Sequence, residues 1–74
     1  MGGSGEYFKY FQLYREFKRE YRLRAGDEIN AKVLRRWLER RTGRKRSAIF
    51  RTIRIMIKLG LLKRVGRSRL VMLE

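Results

Sequence analysis

Three glycines, Gly26, Gly43 and Gly60, divide the chain at equal intervals of 17 residues. Each follows a stretch in which apolar residues recur with the helical period, the place where a residue free to take a positive φ ends a helix. Helix 1 is therefore expected over about residues 6–24, helix 2 over about 30–42 and helix 3 over about 45–59. After Gly60 the pattern changes to two short apolar runs separated by Gly66-Arg67-Ser68, which predicts a β-hairpin over about 61–73. The expected fold class is mainly α with a small β-hairpin. Residues 1–5, Met-Gly-Gly-Ser-Gly, lack periodicity and read as a flexible tail or a scar of expression. A chain of 74 residues allows one modest core, so 6–74 is read as a single domain.

Helix 1 carries seven of the nine aromatic residues. Tyr7, Tyr10, Phe11, Leu13, Tyr14, Phe17 and Tyr21 fall within an arc of about 160°, with Phe8 at its edge. Such a stripe forms one side of a core, and it is also wide enough to pair two chains. Two readings are compatible here, so Tyr7, Tyr10, Phe11, Tyr14, Phe17 and Tyr21 are candidates for a dimer interface. Ile29 is read as a minimal strand. Asn30 is a good N-cap for helix 2, with Asp27 as the alternative one turn earlier. Val33, Leu34, Trp37 and Leu38 make the apolar stripe of helix 2, and Trp37 is read as core. Arg40 and Arg41 are placed to satisfy its last carbonyls.

In helix 3, Ile49, Ile53, Met56 and Ile57 form the core stripe, and Ser47, Arg51, Arg54 and Lys58 lie within about 60° of one another on the other side. Arg46 and Phe50 flank the boundary. The polar face is basic and contains no acid. The strands after Gly60 alternate poorly, so their faces are not assigned.

Charge follows the same geography. Twenty-one Lys and Arg stand against seven Asp and Glu, a net charge of +14 that favours a polyanionic partner. Residues 44–74 hold ten of the basic groups and one acid, Glu74, whereas residues 1–26 hold six and three. An excess gathered in one half is the pattern of a binding footprint. The chain has no cysteine and no histidine, and its carboxylates are scattered, so neither a metal site nor a catalytic centre is expected and no cofactor is implied. No apolar run is long enough to span a membrane. A single Gln and a single Asn among many Arg, Lys and Ile suggest a thermophilic source.

The order helix, short strand, helix, tight turn, helix, hairpin resembles a winged helix-turn-helix. The run Val33–Gly43 is similar to the first helix and turn of that motif, and Arg44–Ile53 to its recognition helix. Gly60-Leu61-Leu62-Lys63-Arg64-Val65-Gly66-Arg67 resembles the glycine-led first strand and wing. Small archaeal transcription regulators, including those of crenarchaeal viruses and plasmids, look most alike. The resemblance implies three helices plus a two- to three-stranded wing. It also implies a double-stranded DNA partner, read in the major groove by helix 3 and touched in the adjacent minor groove or backbone by the wing. Arg46, Ser47, Phe50, Arg51 and Arg54 are then the base-reading candidates, with Phe50 suited to a thymine methyl or, alternatively, to core packing. Arg44 and Lys45 are phosphate contacts, and Arg67 and Arg69 are wing contacts. Arg35, Arg36 and Lys63 are weaker phosphate candidates.

Two departures stand out. Lys45 occupies the place of the usual Ser, Thr or Asp cap and opposes the helix dipole, a penalty that a DNA phosphate would offset. Ile55 and Leu59 are apolar where the family is polar, and are expected against helix 1 or at an interface. The leading expectation is a sequence-specific, homodimeric transcriptional regulator, cytoplasmic and associated with the nucleoid, or with the host cytoplasm if viral or plasmid-borne. A non-specific architectural DNA-binding protein is the alternative, and a protein- or RNA-interaction module the third. An enzyme, a membrane protein and a small-molecule receptor are not expected.

Overall fold

A computed structural model describes residues 3–74. The chain runs α1 (Gly3–Tyr21), β1 (Glu28–Asn30), α2 (Ala31–Thr42), α3 (Arg46–Lys58), β2 (Leu62–Arg64) and β3 (Arg69–Met72). It is mainly helical, with one small antiparallel sheet. The tail expected over 1–5 is shorter than that, because α1 takes in Gly3 to Gly5; residues 1 and 2 lie outside the described residues. Among the described residues, no helix is long and apolar enough to cross a membrane.

Each helix stops for a local reason. The end of α1 is the departure from expectation, since Arg22, not Gly26, takes the left-handed turn at φ 54°. The Leu23 amide then reaches back to the Lys18 carbonyl at 2.8 Å and the Arg22 amide to that of Arg19 at 3.3 Å. This pair of bonds closes the helix while Leu23 folds onto the core. Gly26 instead serves the link to the sheet, where its amide donates to the Met72 carbonyl at 2.6 Å. Asn30 caps α2, its Oδ1 accepting from the Lys32 amide at 2.8 Å. Asp27 takes no part in that cap and accepts from the Arg24 amide. At the far end of α2, Gly43 (φ 67°) sends its amide to Glu39. Gly60 (φ 82°) closes α3 with the same double bond pattern as Arg22, placing buried Leu61 beside buried Met56.

The sheet has the order β1-β3-β2, so the last strand lies between the other two. Ile29 pairs with Leu70, Arg64 with Leu70 and Leu62 with Met72. Residues directly opposite share a face. Ile29, Leu62, Leu70 and Met72 thus turn inward, and Arg64 stands in the same row. Glu28, Asn30, Lys63, Arg69 and Val71 occupy the outer face. The Ala31 amide donates to the Ser68 carbonyl at 2.6 Å, fastening the hairpin turn to the start of α2.

The core gathers Tyr14 and Phe17 from α1, Leu34, Trp37 and Leu38 from α2, and Ile49, Ile53 and Met56 from α3. Leu61, Leu62, Leu70 and Met72 close it from the sheet side. Trp37 packs on Phe17 with ring centroids 5.4 Å apart and donates its indole N–H to Glu20 at 2.9 Å. Tyr14 donates to the main-chain oxygen of Glu74 at 2.9 Å, and Lys18 reaches the same oxygen. Val33, expected inside, lies at the surface, while Ile57 and Leu59 pack against the edge of the core.

Candidate nucleic-acid interface

The surface of α3 follows from its sequence spacing. Ile49, Ile53 and Met56 anchor one side, which leaves Arg46, Ser47, Phe50, Arg51, Arg54 and Lys58 exposed on the other. These form two rows: Arg46-Phe50-Arg54 at intervals of four, and Ser47-Arg51-Lys58 beside it. The helix begins without a side-chain cap, as Lys45 predicts, and its first turn contains no acid. Arg44 and Lys45 precede it, both exposed.

A recess flanks α3 on each side. On one side a groove of about 470 Å³ lies between α3, the start of α2 and β2. Ala31, Phe50, Ile53 and Ile57 supply its apolar surface, and Arg35, Arg54 and Arg64 its charge. The Arg35 guanidinium sits over the Phe50 ring, 5.9 Å from the centroid, within cation–π range. Its Nε is buried and lacks a hydrogen-bond partner. On the other side a smaller recess is bordered by Tyr10 of α1 together with Arg44, Ser47 and Arg51. Among the described residues, no carboxylate lines either recess.

Four of the seven carboxylates are engaged elsewhere. Glu16 pairs with Arg41 at 2.8 Å, Glu20 holds Trp37, Asp27 holds the Arg24 amide, and Glu28 pairs with Arg69 at 3.2 Å. The sequence of α3 itself contains no acid. A separate cluster, Arg15, Arg19, Arg22 and Arg24, borders another recess at the end of α1.

The structure brings Arg44, Lys45, Arg46, Ser47, Phe50, Arg51 and Arg54 together along one helix and its approach. Arg67 stands exposed in the Gly66-Arg67-Ser68 turn. Arg69 lies apart, on the outer sheet face beside Glu28. The β-strand residue that faces α3 is Arg64, which sequence reasoning missed. Its signal was the period-two register with Leu62, hidden because a charge occupies a core-facing row. Tyr10 was read as a dimer residue but borders Ser47 and Arg51, a neighbourhood that only the tertiary packing creates.

The aromatic face of α1 is narrower than expected. Tyr14 and Phe17 are buried in the core, so neither is free for a second chain. Tyr10 is half-buried, and Tyr21 leans on Phe17 at 4.8 Å. Tyr7, Phe8, Phe11 and Tyr21 remain exposed, Phe8 at 61%. Ile55 lies in a recess with Tyr7 and Tyr10, on the α1 side of α3.

No known protein family, curated protein or solved structure matches the chain.

Proposed function

We propose that this protein binds double-stranded DNA as a winged helix, with α3 entering the major groove and the β2–β3 hairpin acting as the wing. The observation that carries this reading is the surface of α3, where Arg46, Ser47, Arg51, Arg54 and Lys58 are exposed together and, among the described residues, no acid lines the flanking recesses. An α-helix fits the major groove, and arginine there can bond guanine O6 and N7 in bidentate fashion. Arg46, Ser47 and Arg51, near the start of α3, are assigned to base edges. Arg44 and Lys45 hold phosphates at the uncapped N-terminus, where backbone amides and the helix dipole favour an anion. Arg35 and Arg64 extend the phosphate contacts across the groove beside α3. Arg67 reaches the backbone or the neighbouring minor groove.

The biological role that fits is a transcriptional regulator working as a homodimer. The exposed Tyr7, Phe8 and Phe11 are the surface for the second copy. Residues 7–21 carry four basic and two acidic groups, a net charge of +2 against +9 for residues 44–74, so a second copy meets less repulsion at α1 than at α3. Selection of bound sequences from random duplex DNA, followed by gel-shift competition, tests specificity. A selected site should outcompete random duplex by at least tenfold. Equal competition would leave an architectural DNA-coating role and remove the regulator.

A further inference from the structure

Phe50 is the one apolar side chain in the exposed rows of α3, half accessible to solvent, with Arg46 and Arg54 one turn away on either side. It does not stand loose. The Arg35 guanidinium rests over its ring, and the groove floor continues into Ala31, Ile53 and Ile57. Apolar contact surface is thereby presented inside a rim of guanidinium groups. Another copy of this chain, itself at +14, is a poor occupant for such a rim, whereas a polyanion with an apolar feature is a good one. In the major groove of duplex DNA the one apolar feature at base level is the 5-methyl group of thymine. The same position is filled when cytosine is methylated at C5.

We infer that Phe50 and the groove beside it read the 5-methyl group of a pyrimidine, while Arg35, Arg54 and Arg64 hold the phosphates around it. The protein then favours thymine over uracil and 5-methylcytosine over cytosine, although the hydrogen-bonding edge is the same within each pair. This inference rests on the duplex-binding reading. It adds to that reading a preference that no arginine contact supplies.

The test uses one mixed-sequence duplex of roughly two helical turns, prepared in three forms: with thymine and cytosine, with uracil and cytosine, and with uracil and 5-methylcytosine. Fluorescence anisotropy at one salt concentration gives the affinity of the full chain for each. The form with uracil and cytosine, which has no 5-methyl group, should bind roughly fourfold more weakly than either of the other two, the loss for one methyl group buried. Phe50→Ala should level the three forms while leaving the salt dependence unchanged, and Phe50→Leu should keep part of the difference. Equal affinity of the wild-type protein for the methyl-free form and for either methyl-bearing form overturns the methyl-reading inference, even if binding is tight throughout. Failure to bind any of the three forms at low salt overturns the duplex-binding reading itself, and this inference with it.

Discussion

Arg22 holds a left-handed backbone conformation, φ 54°, at the end of α1, a position that glycine fills after α2 and α3. An L-residue in that region costs about 1–2 kcal/mol, part of which a glycine returns through greater freedom when unfolded. Arg22→Gly should therefore raise stability by about 0.5–1 kcal/mol in urea unfolding; a loss would mean that the side chain contributes more than the backbone strain. Tyr14 offers a second test. Burial, ahead of the lesser influence of Glu74, raises its phenol above the ordinary value of 10.0. The native state thus keeps a proton that the unfolded state has lost, so the associated stability is complete below pH 10.0 and disappears as pH rises through the folded value. Tyr14→Phe should cost about 1 kcal/mol at neutral pH through the lost hydrogen bond, and should flatten the alkaline fall in stability. Neither effect was visible in the sequence. Gly26 was the natural stop signal for α1, but the chain must turn earlier for Leu23 to reach the core.

At the scale of elements, the helices were legible because an apolar stripe repeats along each and Asn30, Gly43 and Gly60 mark their ends. Asn30→Ala should cost about 1 kcal/mol by removing the cap on Lys32. The sheet was harder to read. Three- and four-residue strands offer few repeats, and Arg64 stands where alternation calls for an apolar residue. That same placement separates two arginines of the hairpin that sequence alone treats alike. Arg64 borders the groove beside α3, whereas Arg69 is held, weakly as exposed pairs are, by Glu28 on the outer face. Arg64→Ala should weaken duplex binding and lower the salt slope by about one. Arg69→Ala should leave both nearly unchanged in the same anisotropy titration. The reverse order would move the DNA to the outer sheet face.

For the molecule as a whole, Arg44, Lys45, Arg46, Arg51, Arg54, Lys58 and Arg64 gather along and beside α3 because it lies between α2, the sheet and the start of α1, while Lys63 and Arg69 stand on the outer sheet face. Composition pointed to a polyanion, but it could not distinguish the α3 surface from the arginine cluster at the end of α1. Nor could it show that packing consumes Tyr14 and Phe17 and leaves Tyr7, Phe8, Phe11 and Tyr21 exposed. Sedimentation should find a dimer that Phe8→Glu with Phe11→Glu converts to monomer without loss of helical circular dichroism; a wild-type monomer at all concentrations would remove the dimer. The most direct test of duplex binding through α3 compares two charge-matched double variants. Lys45→Ala with Arg64→Ala removes two phosphate-holding cations beside α3, and Arg15→Ala with Arg19→Ala removes two from α1. The affinity of each for a random duplex is followed across salt concentrations. Wild-type log K should fall linearly with log salt, by about 0.9 for each phosphate neutralised. The first variant should lose about two units of slope, and the second should keep the wild-type slope. Equal losses in the two variants, or no binding at low salt, would contradict the assignment of α3 as the DNA-binding element.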